Sequence, residues 1–334
     1  MADRCLIIAE AGVNHNGRLD LALDLCDAAK FVGADVIKFQ TWQTEKLITK
    51  TVGQAEYQTL NTGVKESQFD MLKKLELSYD DFRKVKQHCD EIGITFASTA
   101  DEPDSLDFLV ELGIPFIKVG SGEIGNVPFL RYMGTKGLPV ILSTGMSTLE
   151  EVAISIRALK EGGTDDITLL HCTTSYPCPY EDVNLKAMLT LRDAFGLPVG
   201  YSDHTIGGEV AVAAVSLGAC VVEKHFTLDC GMEGPDHAAS TEPEDFQRLV
   251  ESIRNVEACL GDGEKKPTDN ERLISKVVRK RIVARRKIST GEVFSEENLC
   301  IKRSESGLEA GKWDTVIGCL ALRDFMPDEG ICKV

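Results

Sequence analysis

Eight short apolar runs separated by segments of helical period constrain this chain more than any other feature of its sequence. The runs cover 5–12, 34–40, 94–100, 116–121, 139–145, 167–172, 199–204 and 220–226. Their apolarity is continuous rather than alternating, as a strand buried on both faces of a parallel sheet requires. Between the first two runs, Ala22, Leu25, Cys26, Ala29 and Val32 fall on one helical stripe. Segments 149–159 and 184–195 carry the same period, each closed soon afterwards by glycine. After the last run, Thr241 and Glu244 predict a capping box, and Gly261 a stop. Between them Phe246, Leu249, Val250, Ile253, Val256 and Leu260 line one face. Eight strands alternating with helices over about 260 residues predict a (β/α)8 TIM barrel. A doubly wound open sheet is the alternative, because alternation alone does not prove closure.

The pattern changes after residue 261. Segment 262–272 is polar and turn-rich and reads as exposed linker, which we extend to 280. The basic run 276–286 reads as an alternating strand with one charged face. Residues 281–334 resume with short strands and glycine turns, too few for a large core, and are expected to pack on something such as another subunit. The expected organisation is a catalytic barrel at 1–261, a linker at 262–280 and a small mainly-β domain at 281–334.

A net charge of −16 argues against nucleic acid as a partner, since that affinity depends on basic groups neutralising phosphates. The eleven cysteines include no C-x-x-C and read as reduced thiols. The apolar stretch 5–9 ends at Glu10, too soon for a signal segment or a membrane span, so a soluble, cytoplasmic protein is expected.

In a barrel of this class the active site is built from side chains at the C-terminal strand ends. Here those ends carry Glu10, Lys38, Gln40, Ser98, Thr99, Lys118, Ser121, Ser143, Thr144, His171, Thr173, Thr174, Ser202, Asp203, His204, Glu223 and His225, with Asn14 and His15 in the first loop. Lys38 and Lys118 close apolar runs, where an unpaired ammonium is costly. They either pair with Glu10, Glu123 or Glu223, or hold a phosphate or carboxylate with hydroxyls from Thr99, Ser121 and Ser143. A lysine in a barrel also suits a Schiff-base aldolase. His204 and His225 end consecutive strands, and two imidazoles with open positions suit a catalytic divalent metal. Asp236 and His237 lie in the loop that follows.

These residues sit in motifs that resemble the sialic acid synthases, a family making N-acetylneuraminate, legionaminate and pseudaminate. The motifs are IIAEAGVNHNG (7–17), KFQT (38–41), KVGSGE (118–123), ILSTGM (141–146), HCTTSYP (171–177), YSDH (201–204), EKHFT (223–227) and GPDHAAS (234–240). They span nearly the whole chain in order, and the tail resembles the antifreeze-like (SAF) domain of these enzymes. The resemblance implies metal-dependent condensation of phosphoenolpyruvate with an N-acetylated amino sugar and release of phosphate. Phosphoenolpyruvate would be held by Lys38, Thr99, Lys118, Ser121, Ser143, Thr174 and Ser202. The metal, Mn²⁺ in related enzymes with Mg²⁺ or Co²⁺ as alternatives, would sit on His204 and His225, with Glu223 and Tyr176 completing the catalytic set. Gln40, Tyr176 and Asp236 would line the sugar side, and Arg303 would reach the sugar's N-acetyl group from the partner of a swapped homodimer. Asn16 stands where some members carry glutamate, which removes a carboxylate role for that position. N-acetylneuraminate from N-acetylmannosamine is the product expected first. N,N′-diacetyllegionaminate, from 2,4-diacetamido-2,4,6-trideoxymannose, is the alternative. A sugar-binding or ice-binding protein that uses only the tail is a further, non-enzymatic alternative.

Overall fold

The computed structural model describes residues 4–53 and 66–333. It divides into two compact units, Met1–Asp262 and Gly263–Val334.

The first unit is a closed barrel of eight strands in sequence order, β1 (Leu6–Gly12), β2 (Val36–Thr41), β3 (Thr95–Ala100), β4 (Ile117–Val119), β5 (Val140–Ser143), β6 (Ile167–His171), β7 (Val199–Asp203) and β8 (Val221–His225). All neighbours pair in parallel, and β1 closes on β8. Each expected apolar run holds one strand, β2 reaching one residue past its run to Thr41, and the open-sheet alternative is excluded.

Two apolar layers hold this unit. The outer one lies between strands and helices, and the buried stripe Ala22, Leu25, Cys26, Ala29 and Val32 belongs to it. The inner one is a plug inside the barrel made by Ile8, Val36, Ala97, Phe116, Ile141, Leu170 and Val221. Gly200 on β7 gives the plug room, because a Cβ there would meet the Val221 carbonyl oxygen at 2.4 Å and a Leu170 methyl at 2.7 Å.

Helix ends follow local chemistry. Thr148 and Glu151 form a reciprocal capping box on Leu149–Gly162. The box expected at Thr241 and Glu244 does not form. The helix Pro243–Leu260 has Glu242 as its N-cap and proline in its first turn. Thr241 instead forms a β-bridge with Phe226, its amide donating to the His225 carbonyl. Backbone pairing thus takes the residue that the cap would have used.

In the second unit β9 (Lys280–Ala284) pairs antiparallel with β10 (Leu299–Arg303). Its core is Ile282, Ala284, Ile288, Phe294, Leu299, Val316, Ala321, Phe325 and Ile331. The segment expected as linker carries a helix, Asp269–Val278, started by a Thr268–Glu271 capping box. The basic run is therefore not one strand. It ends that helix, and only from Lys280 does it enter β9, where Ile282, Val283 and Ala284 are all buried rather than alternating. Among the described residues no helix is long and apolar enough to cross a membrane.

Candidate active site

Side chains two apart on a strand point the same way. Two residues beyond the apolar plug come Glu10, Lys38, Thr99, Lys118, Ser143, Cys172 and Glu223, with Ser202 following Gly200. Two further on are Gln40, Asp101, Gly120, Thr174, His204 and His225. Every one of these lines a single cavity of about 220 Å³, together with Ser121, Gly122, Met146 and Tyr176. Larger clefts of about 700 and 740 Å³ open on the barrel unit, the second sharing Met146, Cys172 and Thr174 with this cavity, but fewer ionisable groups converge in them.

The floor of the cavity is a buried charge network. Lys38 Nζ lies 2.7 Å from Glu10 Oε2 and 3.6 Å from Glu223 Oε2, and donates to Thr99 Oγ1 at 3.0 Å. Lys118 Nζ lies 3.3 Å from Glu223 Oε1 and donates to Ser143 Oγ at 2.9 Å. Ser202 Oγ donates to Glu223 Oε1 at 3.0 Å, and Gln40 Nε2 to Glu10 Oε1 at 3.1 Å. Both lysines thus have acidic partners and adjacent hydroxyls. Glu123 is bonded to Asn126 instead.

Burial and charge split the carboxyls of this network. Burial opposes ionisation of Glu223, but Lys118 and Lys38 outweigh it and hold its pKa down to about 2. Glu10 goes the other way: burial, reinforced by Glu223, pushes it up to about 7 against the pull of Lys38. Burial opposes the charge on Lys38, yet Glu10 and Glu223 keep its pKa above the ordinary value. Asp101, at the level of Gln40, is raised to about 7 by burial and by the charge of Glu123.

Above the floor, the His204 and His225 rings lie 5.6 Å apart between centroids. Tyr176 packs 4.3 Å from His204 and edge-on to His225 at 5.6 Å. Burial lowers the pKa of both imidazoles, His225 to about 3, so both are neutral at physiological pH. His204 Nδ1 lies 2.7 Å from the Thr173 carbonyl, which selects the tautomer that leaves the Nε2 lone pair free. His225 Nδ1 is buried with no hydrogen-bond partner among the described residues. Two neutral imidazoles, one oriented from behind and one with an unsatisfied nitrogen, fit a divalent cation whose other positions are filled by water or substrate oxygen. Among the described residues there is no cluster of three or more His, Cys, Asp or Glu able to hold a metal.

The structure brings together Lys38, Gln40, Thr99, Lys118, Ser121, Ser143, Thr174, Tyr176, Ser202, His204, Glu223 and His225. Asp236 does not line this cavity. It is half-buried in the loop after β8, its carboxyl raised to about 6 by burial. Arg303 is exposed at the end of β10 in the second unit. Other polar strand ends face outward and are satisfied there: His171 against the Val183 carbonyl, Thr173 against that of Asp182, and Thr144 against that of Leu170. Asn16 Nδ2 donates to the Glu233 carbonyl and Asn16 Oδ1 lies 3.2 Å from His237 Nε2, so this residue ties the first loop to the one after β8. Glu10, expected as a strand-end group and as a partner for the lysines, lines the cavity, and so do Asp101 and Cys172, which the sequence did not single out. Once the register is known, the two-residue step that reaches Lys38 and Thr99 reaches both.

Comparison with known proteins gives this cavity a context. The model of the NeuB family matches residues 25–265. An N,N′-diacetyllegionaminic acid synthase of Legionella pneumophila is 49% identical, the alignment covering 94% of this chain and 89% of that protein. A protein of the same name from Campylobacter jejuni is 45% identical over 98% of both chains. Among solved structures, the N-acetylneuraminic acid synthetase of Leptospira borgpetersenii in complex with citrate superposes with a TM-score of 0.73 at 32% identity, over 81% of this chain and 90% of that one.

Proposed function

The chain belongs to the NeuB family, and from that premise we propose that it condenses phosphoenolpyruvate with 2,4-diacetamido-2,4,6-trideoxymannose to form N,N′-diacetyllegionaminate and phosphate. The observation that carries this reading is the similarity, along nearly the whole chain, to two proteins named for that activity. N-acetylneuraminate, expected first from the sequence, becomes the second reading. Its support is the likeness to the Leptospira enzyme at lower identity.

In this reading Lys38 and Lys118 take the anionic groups of phosphoenolpyruvate, with hydroxyls from Thr99, Ser121, Ser143, Thr174 and Ser202. The ammonium charges are already balanced by Glu10 and Glu223, so the substrate exchanges into an existing network instead of meeting unpaired buried cations. Glu10, poised at about 7, absorbs added negative charge by taking up a proton, whereas Glu223 stays ionised between the two lysines. Gln40 and Tyr176 face the acceptor sugar, and we assign Asp236 and Arg303 to its outer groups, Arg303 coming from the partner of a swapped homodimer. His204 and His225 would hold a divalent cation, Mn²⁺ before Mg²⁺ or Co²⁺, which supplies polarisation of the acceptor's aldehyde. The C3 carbon of phosphoenolpyruvate bonds to the aldehyde carbon as the C2–C3 double bond opens, and water adds at C2 and gives one proton to the former aldehyde oxygen. Phosphate leaves with its bridging oxygen and the second proton as the C2 hydroxyl becomes the ketone.

A Schiff-base aldolase needs a neutral lysine nucleophile. Lys38, held between two carboxylates with a raised pKa, is the opposite. The test is incubation of the purified chain with both substrates and Mn²⁺. Phosphate release with a nine-carbon diacetamido acid seen by mass spectrometry, both lost on chelation, is the expected result. Borohydride trapping of pyruvate on a lysine would overturn it.

A further inference from the structure

We propose that the buried ion pair of Asp203 and Lys224 is a positioning pair that sets the separation and aim of His204 and His225, so that the two imidazoles can share one divalent cation. The inference rests on the reading of those histidines as the metal ligands.

The ladder between β7 and β8 places Ser202 opposite Glu223 and Asp203 opposite Lys224. Alternation turns Ser202 and Glu223 into the cavity, and His204 and His225 likewise one step above. Asp203 and Lys224 lie between these two levels and line no part of the cavity. Their side chains are 0% and 3% exposed. Lys224 Nζ donates to Asp203 Oδ2 at 2.8 Å and to the Thr205 carbonyl at 2.7 Å. Asp203 Oδ1 accepts from the Thr205 amide at 2.9 Å and its hydroxyl at 2.8 Å.

His204 follows the last residue of β7, beyond the β7–β8 ladder; its carbonyl accepts from the Cys178 amide at 2.8 Å and its Nδ1 lies 2.7 Å from the Thr173 carbonyl. The residues on either side of it, Asp203 and Thr205, are both tied to Lys224, the residue that precedes His225. One ammonium therefore ties both neighbours of His204 to the residue before His225, whose own backbone is held by β1 and by the Thr241 amide. A buried ion pair is a poor source of net stability compared with an apolar pair of similar volume. What it adds is directional: two short bonds from Lys224 define how the end of β7 sits against β8, and two between Asp203 and Thr205 fix the turn around His204.

The test is Mn²⁺ titration of the metal-free full-length protein, followed by electron paramagnetic resonance, with thermal melts as the folding control. The variants are Asp203→Asn/Lys224→Met, which removes both charges together, and Asp203→Glu, which keeps the pair but lengthens it. Each is expected to melt cooperatively yet bind Mn²⁺ at least about tenfold more weakly, the scale of lost outer-sphere support. Mn²⁺ affinity within about twofold of the parent in either folded variant overturns the proposal. His225→Ala reads the premise separately. If that variant, or the parent itself, shows that Mn²⁺ does not bind through this histidine, the metal assignment falls and the positioning role falls with it.

Discussion

Asp101 and Gly145 show how single residues tune this cavity. Asp101 is raised to about 7 by burial and by Glu123. Between the ordinary aspartate value, near 3.9, and 7 the folded protein holds a proton that the unfolded chain has lost. Stability therefore falls as pH rises through that window, and the penalty is complete above pH 7. Asp101→Asn removes it. Urea unfolding should find the variant more stable than the parent at pH 8, with the advantage shrinking as pH is lowered towards 4. An advantage that instead grew on acidification would contradict the assignment. Gly145 makes the opposite kind of contribution, by leaving space. A Cβ there would meet Thr174 Oγ1 at 2.4 Å, Ser121 Oγ at 2.8 Å and Cys172 Sγ at 3.1 Å. These are movable side-chain ends, so Gly145→Ala should fold but displace two hydroxyls assigned to phosphoenolpyruvate. Its KM for phosphoenolpyruvate should rise by about tenfold or more, the scale of a lost hydrogen bond to a charged group.

At the scale of elements, β2 carries site and scaffold on opposite faces. Lys38 and Gln40 point into the cavity, while Phe39 is fully buried outside among Phe82 and Phe96 at 6.2 and 6.0 Å. Phe39→Ala should cost about 3–5 kcal/mol by leaving a cavity, which denaturant unfolding would measure. The eight strands were legible in the sequence because each is a run of continuous apolarity, and the strand-end groups were legible as a set because they close those runs. Which strand-end groups face inward was not legible, because His171, Thr173 and Asp203 are as polar as their inward neighbours. Only the register of each strand separates the faces. The Thr241–Glu244 box and the long basic strand failed for a related reason. Local patterns predicted them, but backbone pairing claimed Thr241, and the Thr268–Glu271 cap began a helix that takes the first three residues of the basic segment.

For the whole molecule, each unit has its own buried core, so the barrel unit should survive alone. Deleting residues 263–334 is predicted to leave a protein that melts cooperatively and is still stabilised by phosphoenolpyruvate, but that no longer turns over the sugar for want of Arg303. Full activity of that truncation would refute the swapped-dimer role proposed for the second unit. The choice of acceptor is decided by kcat/KM for phosphate release, with phosphoenolpyruvate and Mn²⁺ saturating and the two sugars compared on one preparation. A kcat/KM at least about a hundredfold higher for 2,4-diacetamido-2,4,6-trideoxymannose than for N-acetylmannosamine, a difference of about 2.7 kcal/mol in transition-state binding, is predicted. Equal values, or a preference for N-acetylmannosamine, would contradict it.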